Sequence, residues 1–116
     1  MSLDIYLMTP ESCPHCGMPL PPSTEIFSQN YTHNVVSMWT KAGVYDALYM
    51  SDTWTVDKDY LQTLREGIAN FERAFAEYEK LDPSNGWGSA AGALSWLRKW
   101  LEACEKNLGA TIHVSK

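Results

Sequence analysis

Leu61, Leu64, Ile68, Phe71, Phe75 and Tyr78 step along the chain by three and four without a miss. That period puts six large apolar side chains on one face of a helix over Val56 to Leu81, and a stripe so continuous must be buried against something. Thr55 suits its N-cap, Asp57 and Asp59 suit the positive end of its dipole, and Asp82-Pro83 stops it. A second stripe of Leu94, Leu97, Leu101, Cys104 and Leu108 follows, with Ser89 as cap and Gly109 as terminator. Trp96 and Trp100 flank this stripe and either widen its core face or stand out as an aromatic ridge.

The partner for these helices lies at the chain ends. Leu3, Ile5 and Leu7 alternate with Asp4, Tyr6 and Met8, and Ala110, Ile112 and Val114 alternate with Thr111, His113 and Ser115. Both are period-two strands with one apolar face, and they are expected to pair. Between them, residues 10–23 hold too many prolines and glycines for a helix or a central strand, so they form a loop. Thr24 to Ser28 reads as a short extended piece. Val35, Val36, Met38, Trp39 and Ala42 then share one helical face, with Gly43 placed as a left-handed cap. Val44 to Met50 reads as a further turn or two. The expected fold is helix-dominated α+β in one domain, 1–116: two long antiparallel helices and short helices packed on a small sheet of the N- and C-terminal strands.

Composition narrows the function classes. A formal charge of −5 with nine basic residues opposes broad nucleic-acid binding, which needs phosphates neutralised. No stretch reaches the ~18 unbroken apolar residues of a membrane span, and no basic leader with an apolar run opens the chain. Three cysteines, an odd number, fit a reducing compartment better than a secreted disulfide framework. The expectation is a soluble, cytoplasmic protein.

Two of those cysteines form Cys13-Pro14-His15-Cys16-Gly17. A redox dithiol needs a helix after the motif to lower the thiol pKa, and Gly17, Pro19, Pro21 and Pro22 deny one. The pattern resembles a zinc knuckle, one half of a rubredoxin-like or zinc-ribbon site. Structural zinc takes four ligands, and the second pair is missing. His33, Cys104 or His113 are the candidates to complete it, since His15 sits inside the knuckle. Two chains sharing one ion in a homodimer, or a turn that binds no metal, are the other outcomes. Cys104 on the helical stripe also reads as core, and His113 as the outer face of an edge strand.

The second polar cluster is Asn30-Tyr31-Thr32-His33-Asn34, expected to open the first helix. One cap needs one residue, and Asn30, Thr32 and Asn34 offer more. A histidine at a helix N-terminus is held neutral by the dipole, which makes His33 the candidate functional side chain. Asn85-Gly86-Trp87-Gly88 is a turn between helices whose tryptophan could cover a pocket or anchor a partner.

Asn30-x-Thr32-His33-Asn34, Ala42-Gly43-x-Tyr45-x-Ala47-Leu48, Asn85-Gly86-Trp87-Gly88 and Ala110-Thr111-x-x-Val114-Ser115 together are similar to a family of small uncharacterised proteins of tailed bacteriophages and prophages. The resemblance covers roughly the C-terminal three quarters of the chain; the Cys13–Cys16 loop departs from it. It implies a phage accessory protein in the cytoplasm of an infected or lysogenic host, without implying a reaction. The reading is therefore a non-catalytic protein that binds a host or phage protein, or a small ligand, through Asn30, Thr32, His33, Asn34, Asn85 and Trp87. Two alternatives stand beside it: a small enzyme using His33 as general base or metal ligand, and a zinc-stabilised structural module.

Overall fold

The computed structural model describes residues 2–8, 25–82 and 88–115. Strand β1 (Ser2–Met8) lies between β2 (Glu25–Thr32) and β3 (Thr111–Ser115) in an antiparallel sheet of order β2-β1-β3. One 3-10 turn (His33–Val35) leads into α1 (Val36–Ala42) and α2 (Tyr45–Tyr49). The long α3 (Lys58–Arg73), the short α4 (Phe75–Glu79) and the long α5 (Ala90–Lys106) follow. This is the helix-dominated α+β architecture that the two stripes and the terminal alternation predict.

The pairing of the chain ends holds: Ile5 faces Val114 and Leu7 faces Ile112 across β1 and β3. Leu3, Ile5, Leu7 and Ile112 are buried, while Asp4 and Tyr6 turn to the other face, half-buried. The sheet is larger than expected, because β2 joins β1 from Ser2↔Thr32 to Met8↔Glu25. Along β2 the half-buried residues are Phe27, Gln29 and Tyr31, while Ile26, Ser28 and Asn30 are exposed. That alternation is a strand's period, and a ladder of seven residue pairs outweighs the capping preference of Asn30, while Thr32 at the strand's end still serves as a cap.

Helices α3 and α5 are antiparallel, as Arg65–Glu105 and Glu72–Arg98 show: seven residues up one helix correspond to seven down the other. Both pairs are half-exposed, so they report direction more than they stabilise, at under ~1 kcal/mol each. The packing between the helices is apolar, with Leu61, Leu64, Ile68 and Phe71 of α3 and Leu94, Leu97, Trp100 and Cys104 of α5 all buried. Trp96 and Trp100 widen the core face and form no ridge. At the far end the stripe fails: Leu101 is half-buried and Leu108 is exposed, since α5 ends at Lys106.

Two boundaries differ from expectation. Asp57, not Thr55, caps α3, its Oδ1 accepting from Tyr60 N at 2.8 Å, while Thr55 bridges to Thr111. The first long helix is also interrupted at Ala74, whose ψ is 36°. The break lets Tyr78 stack on Phe71 with ring centroids 4.1 Å apart. In an unbroken helix residues seven apart are separated by about 10.5 Å of rise, so that stack would be lost. Ser89 caps α5, its Oγ accepting from Gly92 N at 3.0 Å, and Gly43 ends α1 at φ 83° as its position predicted. Among the described residues no helix is long and apolar enough to cross a membrane.

Candidate functional site

The four polar residues of 30–34 do not converge. Asn30 lies on β2, where its Nδ2 donates to Asp4 Oδ1 at 3.0 Å and its carbonyl accepts from Trp96 Nε1 at 3.0 Å. Thr32 caps the 3-10 turn, its Oγ1 accepting from Asn34 N at 3.2 Å, and Asn34 is exposed. His33 turns toward α2, with Nδ1 2.7 Å from Tyr49 Oη and the two rings 5.5 Å apart. Tyr49 stacks on Tyr45 at 4.9 Å, and burial, with Tyr45 adding to it, pushes its phenol up to about 12. Near neutral pH the phenol therefore keeps its proton, and Nδ1 of His33 is engaged with it in either tautomer.

Asn85 and Trp87 lie outside the described residues, as do Cys13, Cys16 and His15. Gly88, next to Trp87 in the chain, packs so closely that a Cβ there would meet Thr32 Cγ2 and Val35 Cγ1. The end of the connector thus abuts the residues on either side of His33 and Asn34.

The candidate completing ligands have separate surroundings. Cys104 is fully buried, and burial, then the Glu105 carboxylate, pushes its thiol up to about 12. His113 is exposed on β3, its Nδ1 3.1 Å from Asp52 Oδ1 and its ring 5.5 Å from that of Tyr6. Among the described residues no group of three or more His, Cys, Asp or Glu is placed to hold a metal.

A concavity among the described residues lies where the sequence reading placed nothing. A cleft of about 590 Å³ opens between α2 and the start of α3, walled by Asp46, Ala47, Trp54, Asp57, Asp59 and Tyr60. Its volume falls in the ~300–1,000 Å³ range of small-molecule sites. The wall is built on fixed backbone. Residues 53–56 run along the outer edge of β3, with Thr53 N donating to Ile112 O and Ile112 N to Trp54 O, both at 2.8 Å. Val56 N then donates to Ala110 O at 2.9 Å. Within this turn Thr53 has φ 73°, the left-handed region that a β-branched residue avoids. The consequence is a tryptophan held outward: Trp54 is 45% exposed and meets the Tyr60 ring edge to face, at 6.4 Å and 87°.

Tyr60 ties the cleft to the core. Its hydroxyl donates to Ala47 O at 2.6 Å and accepts from Trp100 Nε1 at 3.0 Å. Burial, with Cys104 adding to it, raises this phenol well above its ordinary range, against the hydrogen bond from Trp100 that lowers it. It is a neutral wall at physiological pH. A smaller groove of about 270 Å³ lies between Phe27 of β2 and Lys99 and Lys106 of α5.

No known protein family, no curated protein and no solved structure matches this chain.

Sequence reasoning missed Trp54 and Asp46, and saw Asp57 and Asp59 only as helix-end charges. The available signal was the polar run Ser51-Asp52-Thr53-Trp54-Thr55, in which the tryptophan is the one apolar residue. Neither cleft is lined by Asn30, Thr32, His33 or Asn34.

Proposed function

We propose that this chain is a non-catalytic binding protein whose ligand seats in the cleft between α2 and α3, against Trp54. The observation that carries this reading is the outward indole, on backbone fixed by bonds to β3, at the rim of a cleft whose adjoining wall residue, Tyr60, is anchored in the core. A rigid aromatic at the rim of a preformed cavity supplies contact area at little entropic cost. The titratable groups of the wall are aspartates and a protonated phenol, and Asp57 is already spent as a helix cap. That set suits holding a ligand better than moving protons. The phage-type pattern supplies the setting: an accessory protein engaging a host or phage protein, or a small ligand, in a bacterial cytoplasm.

The enzyme alternative rests on the 2.7 Å contact of His33 with Tyr49. For Nε2 to act as a base there, Nδ1 must carry the proton and donate to the phenol.

The test is two-dimensional amide NMR of labelled protein against a fragment library. Shifts should gather on the Trp54 indole and on the amides of Asp46, Thr55 and Tyr60, and Trp54→Ala should abolish them. Shifts centred on His33, or unchanged in Trp54→Ala, would overturn the reading.

A further inference from the structure

We propose that the ligand of this cleft is an organic cation bearing a guanidinium or alkylammonium group. The inference rests on the binding reading above and adds the ligand's chemical class.

Charge complementarity comes first. Asp46, Asp57 and Asp59 give the wall three carboxylates, and among the described residues no Lys or Arg lines it. Asp57 is occupied by Tyr60 N, whereas Asp46 and Asp59 are exposed with no side-chain hydrogen bond or ion pair among the described residues. One opposing field must be weighed. The start of α3 faces the same region, and a helix N-terminus carries about +0.5 charge that favours anions. Asp57 caps that end and Asp59 sits in its first turn, so two full negative charges outweigh the partial positive one before Asp46 is counted.

The aromatic walls decide between an inorganic and an organic cation. No three acidic groups converge on a metal position among the described residues, and the volume of about 590 Å³ far exceeds an ion. Trp54 instead offers an exposed indole, steadied by edge-to-face contact with Tyr60, and an aromatic surface of this kind attracts weakly hydrated cations. A guanidinium can stack on an indole while its N–H groups reach carboxylates in its plane. The same group is available from a free small molecule or from an arginine or lysine of a protein partner.

The experiment titrates wild-type protein with butylguanidinium, with a capped Gly-Arg-Gly peptide and with butyrate as an anion of similar size, following amide and indole shifts. The two cations should move Trp54, Asp46 and Asp59, butyrate should not, and 0.5 M salt should weaken binding at least fivefold. Asp46→Asn with Asp59→Asn should weaken it at least tenfold while the melting temperature stays within a few degrees, since both side chains are exposed. Peptide binding ten times tighter than butylguanidinium assigns a protein side chain as the source, and equal affinity assigns a free small molecule. Butyrate binding as well as the cations, or unchanged affinity in the double asparagine variant, would overturn the cationic class. A neutral or anionic fragment that seats against Trp54 would overturn the class and leave the binding reading intact. Failure of every probe and fragment to reach Trp54 would remove both.

Discussion

Trp100 Nε1 donates to Tyr60 Oη at 3.0 Å, and the same hydroxyl donates onward to Ala47 O at 2.6 Å. One buried oxygen thereby joins α5, α3 and α2, and holds the ring that forms a wall of the cleft. Tyr60→Phe leaves a buried indole N–H and a buried carbonyl without their partner, each costing ~1–3 kcal/mol. We expect a loss of about 2–4 kcal/mol in urea unfolding, with the fold kept. A loss below about 1 kcal/mol would show that the three elements do not depend on this hydroxyl.

Gly67 marks the place where α3 crosses the turn between α1 and α2. A Cβ at this position would overlap Cγ1 of the fully buried Val44. Alanine is intrinsically better than glycine inside a helix by ~1 kcal/mol, so an exposed site would gain from the exchange. Here overpacking costs ~1–3 kcal/mol and should win. Gly67→Ala is expected to destabilise, and Val44→Ala in the same chain to recover part of that loss. The double-mutant cycle checks it: additive effects would mean the two residues do not touch.

The two long stripes were legible because burial on one face leaves a period that no turn preference can imitate, and Leu61, Leu64 and Ile68 lie where it puts them. The terminal pairing was legible for the same reason at period two. Strand β2 was legible only in its first half, read as extended over Thr24 to Ser28, because Asn30, Thr32 and Asn34 carry capping chemistry and only Phe27, Gln29 and Tyr31 carry the strand's half-buried face. Gln29 is no apolar signal at all; its Nε2 donates to Trp96 O, a partner 67 residues away. The break at Ala74 has no local marker, and it accompanies the Phe71–Tyr78 stack. The cleft escaped notice because each wall residue has an ordinary local role, and only the pairing of 53–56 with β3 brings Trp54 beside α3.

Thr53 holds φ 73°, which costs a β-branched residue ~1–3 kcal/mol. Thr53→Gly removes that strain and loses ~0.5–1 kcal/mol through the more flexible unfolded chain. The net expectation is a rise in melting temperature of a few degrees, together with weaker ligand binding as Trp54 gains freedom. Calorimetry and the cleft titration read the two effects separately. A lower melting temperature would mean the threonine is not strained.

The Tyr49 phenol is pushed from 10.0 up to about 12, mainly by burial. A folded value above the unfolded one favours the protonated phenol, so its contribution is complete below about pH 10 and is lost as pH rises toward 12. At pH 8, Tyr49→Phe should cost ~1 kcal/mol for the bond to His33. By about pH 11 the wild type has lost ~1.4 kcal/mol that the variant never had, and the difference should vanish or reverse. Urea midpoints of the two proteins at both pH values check this. A constant difference would show that Tyr49 ionises normally.

Cys104 separates the question of reactive thiols from that of zinc. Its thiol is fully buried and pushed up to about 12, so it offers neither a thiolate nor access. In a Cys13→Ser, Cys16→Ser background, a thiol reagent at pH 8 should label the chain at least a hundredfold more slowly than after unfolding in urea. Deprotonating Cys104 for a metal would also place a charge in the core, so any zinc that copurifies should depend on Cys13 and Cys16. Cys104→Ala is expected to carry as much zinc as the wild type, and the double serine variant less, by elemental analysis. Loss of zinc in Cys104→Ala, with the protein still folded by circular dichroism, would make Cys104 a ligand and place the knuckle against α5.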